Sequence, residues 1–158
     1  MPKRILLVDD EELFLKSLKE GLEPFSHVFK VDICYSVNEA IKNIAVHDYD
    51  LVVSDMRMPE KSGLELLLFL KERRYPGKII VMSAYNTAED SDKIKSLGVI
   101  DVISKPFRLE FFKNMLLDHF RVDKDGTVLF ETIDLVTVMQ VINMEKKTSA
   151  LEVEVDGI

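Results

Sequence analysis

Five short apolar runs, each followed by a stretch of helical character, constrain this chain more than any other feature. The runs are residues 4–8, 30–35, 51–54, 78–83 and 99–104. Most are too apolar for strands with one wet face and too short for helices, so they read as strands buried on both sides. Leu13, Phe14, Leu18 and Leu22 then recur at helical spacing. Acids favour the start of that helix, and Gly21 and Pro24 mark its finish. Ser36 and Glu39 have capping-box spacing, and the helix they open carries Ala40, Ile41, Ile44 and Ala45 on one face. Residues 63–74 form a helix with Leu64, Leu67, Leu68 and Leu70 inward, stopped by Tyr75-Pro76-Gly77. A charged helix over 88–97 ends at Gly98, and residues 107–120 place Leu109, Phe112, Leu116 and Phe120 about one turn apart. Strand and helix alternating five times predict an α/β fold, a five-stranded parallel sheet with helices on both faces. Crossovers in such a sheet are right-handed, and ligands bind beyond the carboxyl ends of its strands.

Those carboxyl ends carry the chemistry. They bring Asp9 and Asp10, then Asp55, then Ser83, then Lys105. At an effective dielectric of about 20, two like charges some 4 Å apart repel by roughly 4 kcal/mol. Three acids with one lysine are a poor structural choice unless something cationic compensates. A hard divalent ion with oxygen ligands does so, and Mg²⁺ binds through one or two carboxylates while keeping water and phosphate in its other positions. A metal beside an aspartate, a hydroxyl and a lysine is suited to phosphoryl transfer onto that aspartate. Ser83 would donate to a phosphoryl oxygen. Taken singly, each of these residues is an ordinary helix start, loop acid or turn. Their shared placement at one sheet edge is the signal.

Composition narrows the remaining classes. The chain has 158 residues, 47% hydrophobic and 31% charged, as expected for a globular protein. Its net charge is −7, with acids in excess both before and after residue 120 and no basic stripe, so direct nucleic-acid binding is not expected. No apolar run is long enough to span a membrane or act as a signal peptide, which makes the cytoplasm the expected location. The single cysteine, Cys34, fits a reducing compartment and reads as a buried small hydrophobe. His27, His47 and His119 share no metal-ligand spacing.

At Val8-Asp9-Asp10, Asp55-Met56-Arg57-Met58-Pro59, Ser62-Gly63-Leu64-Glu65, Met82-Ser83-Ala84 and Lys105-Pro106-Phe107 the chain resembles the receiver domain of two-component response regulators. The resemblance covers about residues 2–120. It implies the flavodoxin-like receiver fold with strand order 2-1-3-4-5, and a phosphoryl group accepted on Asp55 from a histidine kinase. It also implies Mg²⁺ held by Asp10, Asp55 and the main-chain carbonyl of Arg57, with Asp9 acting mostly through water. Lys105 and Ser83 would contact the phosphoryl group, and a cis bond would precede Pro106. Receivers often carry an aromatic residue three positions before the lysine, whose rotation reports phosphorylation. Here that position is Val102, with Tyr85 as a candidate substitute. Arg57 and Tyr85 would flank the phosphoryl site and modulate dephosphorylation.

The alternation stops after residue 120. The expected division is a receiver domain over 1–121 and a linker with a small α+β segment over 122–158, the start of a second domain. In that segment residues 127–130 and 148–155 read as strands, 132–145 as a helix, and Asp156-Gly157 as a hairpin turn. Residues 135–142 and 146–153 are similar to the opening of PATAN domains, which are attached to some bacterial receivers. The expected partners are a histidine kinase or phosphotransfer protein and a downstream protein, with a homodimer allowed. The chain is expected to be a switch rather than an enzyme. Haloacid-dehalogenase-type phosphatases have a similar site but place a second aspartate two residues after the nucleophile, where this chain has Arg57. A receiver-shaped module that is never phosphorylated is supported only by Val102.

Overall fold

The computed structural model describes residues 1–84 and 88–122, with the side chains of 88–91 left aside. The expectations for Tyr85 and for residues 123–158, including the PATAN-like stretch, lie outside the described residues. The elements run β1 (Lys3–Val8), α1 (Glu12–Leu22), a 3₁₀ turn (Glu23–Phe25), β2 (Phe29–Cys34), α2 (Val37–Val46) and β3 (Leu51–Asp55). They continue with α3 (Gly63–Glu72), β4 (Lys78–Ser83), α4 (Ala88–Ser96), β5 (Asp101–Ser104) and α5 (Leu109–Phe120). The chain divides into two compact units, residues 1–113 and 114–158, with the boundary inside α5. No helix among the described residues is long and apolar enough to cross a membrane.

All five strands pair in parallel in the order β2-β1-β3-β4-β5. Ile5, Leu6, Leu7 and Val8 of β1 and Leu51, Val52 and Val53 of β3 are all fully buried. Successive strand residues point to opposite faces, so burial of every one requires cover on both. On one face Leu6, Val8 and Val52 pack in a core with Val37 and Ala40 of α2 and Leu66, Leu67 and Leu70 of α3. Cys34 belongs to that core; burial pushes its thiol up to about 11, and the Asn43 amide donates to its sulfur. α1 packs against β2, with Leu15, Leu18 and Leu22 buried.

The structure corrects several inward faces. Leu64 and Leu68 of α3 are exposed, and Leu66 is buried in their place beside Leu67 and Leu70. The helix reads GLELLLFLKE, apolar on almost every side, so periodicity cannot choose its buried stripe. Leu13 of α1 is 83% exposed because Leu15, Leu18 and Leu22 already form the stripe. Ala45 of α2 is exposed while Val37 is buried. Leu109 of α5 is also partly exposed, yet it seats on Gly21, where a Cβ would overlap it. Gly21 lies in the last turn of α1, which ends at Leu22 just before Pro24, and it also serves there as a packing surface for Leu109. At the start of α2, Ser36 Oγ accepts from the Glu39 N–H, but the Glu39 carboxylate takes the N–H of Tyr35. α3 has the reciprocal arm of a capping box, with Ser62 N–H donating to the Glu65 carboxylate at 2.8 Å.

Candidate functional site

The strand order creates the site. The chain leaves β1 toward β2 on one side of the sheet and leaves β3 toward β4 on the other, so a crevice opens beyond β1 and β3. Val8 pairs in register with Ser54, which sets Asp9 and Asp55 side by side at that opening. Asp55 pairs with Met82, and Ser83 with Ser104, which carries Ser83 and Lys105 to the same rim. The Lys105 N–H donates to the Ser83 carbonyl at 2.8 Å, and the bond from Lys105 to Pro106 is cis. Asp55, Ser83 and Lys105 line one cleft of about 490 Å³, together with Glu11, Phe14 and Arg57.

The two inner carboxylates are held from several directions. Asp9 is fully buried and accepts the Glu11 N–H at 3.0 Å and the Lys105 ammonium at 2.6 Å. Asp55 is 6% exposed. Its Oδ2 accepts the Arg57 main-chain N–H at 3.1 Å, and its Oδ1 lies 3.4 Å from Lys105 Nζ. Asp10 stands at the exposed side, and one carboxylate oxygen from each of Asp9, Asp10 and Asp55 lies within 4.8 Å of the other two. The structure thus brings Asp9, Asp10, Asp55, Ser83 and Lys105 together, with the Arg57 main chain against Asp55. Gly63 supports this arrangement from α3. Its N–H donates to the Met56 carbonyl, and a Cβ there would overlap the carbonyl oxygen of Asp55. Only glycine lets the helix approach the nucleus of the site so closely.

Charge is unbalanced here. Burial raises the pKa of Asp9, against the hydrogen bond and charge of Lys105, which lower it. Burial also raises that of Asp55, and the neighbouring Asp9 charge raises it further. Burial alone would lower the pKa of Lys105, but the hydrogen bond to Asp9 and the charges of Asp9, Asp55 and Glu11 outweigh it and raise the pKa. The donor set is oxygen only, clustered and in excess of its one lysine, which fits a small hard divalent ion.

Two residues of the site escaped the sequence reading. Glu11 sat in an acidic run taken as a helix start, and its carboxylate lies 3.4 Å from Lys105 Nζ. Phe14 sat in an apolar periodic stripe, and its ring lies beneath Lys105 Nζ at 4.6 Å from the centroid. The signal that could have found them is their place at the cap and in the first turn of a helix that starts at the site. Val102, where an aromatic residue was looked for, packs half-buried against the hydrophobic core.

Comparison with known proteins bears on the family and the fold. The chain is 31% identical over 120 residues to the transcriptional regulatory protein MalR of Bacillus subtilis, a match covering 76% of this chain and 51% of that protein. It is 31% identical over 110 residues to the transcriptional regulatory protein CiaR of Streptococcus pneumoniae, covering 70% of this chain and 48% of that protein. The chain thus spans about half the length of these curated relatives. Their names give no support to the expectation that nucleic acid is not a partner. A CheY-like response regulator receiver domain protein from Methanospirillum hungatei superposes with a TM-score of 0.68 at 28% identity, covering 75% of this chain and 94% of the other. The family model of the response regulator receiver domain matches residues 5–117. With that match and the flavodoxin-like sheet, this chain belongs to the response regulator receiver domains, the signalling domains of two-component systems.

Proposed function

We propose that Asp55 is a phosphoacceptor, charged by a histidine kinase or phosphotransfer protein, and that its phosphorylation switches a protein-interaction surface. The observation that carries this reading is the position of Asp55. It is a nearly buried carboxylate at the β1–β3 crevice, fixed by the Arg57 N–H on one oxygen and faced by Lys105 on the other. In the transfer, the P–N bond of a phosphohistidine breaks as a P–O bond forms to Asp55, and the imidazole departs as the leaving group. In its ionised form the Asp55 carboxylate is itself the nucleophile, with no proton to remove. Lys105 would turn from Asp9 toward the incoming phosphoryl oxygens, and the Ser83 hydroxyl would donate to one of them. Asp10, Asp55 and the Arg57 carbonyl would hold Mg²⁺, with Asp9 acting mostly through water, and the ion when bound neutralises phosphoryl charge. The side chain of Arg57, which lines the cleft, would restrict the approach of water to the acyl phosphate.

The switch would operate in the cytoplasm as a receiver unit of residues 1–121. Residues 122–158 would begin the segment that passes its state onward. The test is Mg²⁺-dependent binding of beryllofluoride, or labelling by acetyl phosphate, in the wild type and in Asp55→Asn. The expected result is a loss of labelling of at least about 100-fold in the variant, since a positioned nucleophile supplies most of such a step. Equal labelling of both proteins would remove Asp55 from the role.

A further inference from the structure

An aromatic chain leads away from Lys105 that no part of the phosphoacceptor reading uses. Lys105 Nζ lies 4.6 Å from the centroid of Phe14, on α1. The Phe14 ring meets Phe107 edge to face at 5.6 Å and 71°. Phe107 in turn stacks on Phe112 at 5.6 Å and 28°. Phe112 is fully buried at the start of α5, and Phe14 and Phe107 are half-buried. Each contact has the geometry that the ring quadrupole favours, cation over face first, then edge to face, then offset stack. Meanwhile Val102 has no ring with which to report the state of the site.

We propose that Phe14 is the positioning residue for Lys105, and that Phe14, Phe107 and Phe112 form the route by which a change at Lys105 reaches α5. The route rests on the phosphoacceptor reading for its trigger, while the contact between Phe14 and Lys105 stands without it. Lys105 faces Asp9 at 2.6 Å and Asp55 and Glu11 at 3.4 Å, three acids that compete for one cation. The Phe14 face fixes the height of the ammonium above the crevice without satisfying its charge. Lys105 can therefore turn from Asp9 to a new anion on Asp55 without leaving the ring. That turn shifts the ammonium across the Phe14 face, and a tilt of Phe14 must move Phe107, because an edge-to-face pair has little slack.

Aromatic and lysine ε-methylene NMR signals test both parts, with beryllofluoride and Mg²⁺ as the trigger. The wild type and Phe14→Tyr, which keeps the π face, should show the Lys105 ε-methylene upfield of an unstacked lysine. Phe14→Leu should lose that shift, and an unchanged shift in Phe14→Leu would overturn the positioning role. On adding beryllofluoride, the Phe112 ring signal should move in the wild type. In Phe107→Leu it should stay still while the Lys105 shift is kept. A Phe112 ring that moves equally in Phe107→Leu, or stays still in a wild type that binds beryllofluoride, would overturn the route alone. A wild type that binds no beryllofluoride would overturn the phosphoacceptor reading and its route together, leaving the ε-methylene shift to decide the contact.

Discussion

Around the start of β1, two cations meet two acids, whereas at the carboxyl ends of the strands a single lysine meets three. In the first group Arg4 donates twice to one oxygen of Asp32, at 3.1 and 3.0 Å. The Tyr49 hydroxyl donates to the same oxygen at 3.0 Å, and the Arg4 guanidinium lies over the Tyr49 ring. Lys3 pairs with Asp50, whose other oxygen accepts the Arg4 main-chain N–H. Every charge there has an opposite partner within the group. At the other end Lys105 is shared among Asp9, Asp55 and Glu11, with Asp10 beside them. A balanced group holds the fold and needs nothing further. An acid-rich group in a buried crevice stores unfavourable electrostatic energy that only a cation or a proton relieves.

Four perturbations break or sharpen this contrast, in falling order of size. Lys105→Ala removes the one cation from a fully buried Asp9. It should cost about 3 kcal/mol in metal-free buffer, the usual penalty for orphaning one side of a buried pair, read by urea unfolding. Mg²⁺ should recover much of that loss. If the variant unfolds like the wild type without metal, the lysine is not what compensates the crevice. In the wild type, Mg²⁺ at about a hundred times its dissociation constant should add about 2.7 kcal/mol of stability by mass action. Asp55→Asn should blunt that gain in a thermal melt and Asp32→Asn should leave it intact. An equal Mg²⁺ response in both would erase the distinction between the two groups.

Acid should act in the same direction as metal at the crevice. The folded-state pKa values of Asp9 and Asp55 are raised above 3.8, so between 3.8 and those values the folded state binds more protons than the unfolded one. Their charged forms therefore weaken the metal-free fold as pH rises through that window. Asp55→Asn should melt above the wild type in EDTA at pH 7, with an advantage that shrinks as pH falls toward 3.8. A constant advantage across that range would assign the effect to packing. Smallest in effect are the substitutions in the balanced group. Asp32→Ala should cost about 1.5 kcal/mol, since its ion pair with Arg4 is about a quarter exposed and also carries the Tyr49 hydrogen bond. Lys3→Ala should cost under about 0.5 kcal/mol, because its pair with Asp50 is 39% exposed on both sides. Neither should alter the response to Mg²⁺, and a change there would show that the two groups are coupled.

The sites and elements differ in how much of them the sequence disclosed. Strands buried on both faces announce themselves, because β1, β3 and β4 are each built on an unbroken apolar run, and their ends fell within a residue of expectation. Residue 99 was expected to open β5, yet the strand begins at Asp101, since the ends of short edge strands are set by pairing rather than by composition. The buried stripe of α3 could not be read at all. Six of its ten residues are leucine or phenylalanine, and only the partners across the interface choose Leu66 over Leu64 and Leu68. Val102 shows the reverse. Its identity showed directly from the sequence that the position three before the lysine carries no ring, with no structure required.

Alternation of apolar runs with helices determined a parallel sheet, and a parallel sheet determined that Asp9, Asp10, Asp55, Ser83 and Lys105 share one rim. That much follows from local periodicity and chain direction, which every residue carries in its own sequence neighbourhood. Tertiary structure alone decided how the charges divide. Lys105 lies closest to Asp9, Glu11 joins the acids around it, and Phe14 lies beneath it. These are contacts between residues more than ninety positions apart, fixed by strand register and by the angle at which α1 leaves β1. No periodicity within a segment encodes that angle, because it is set by what packs on the far side.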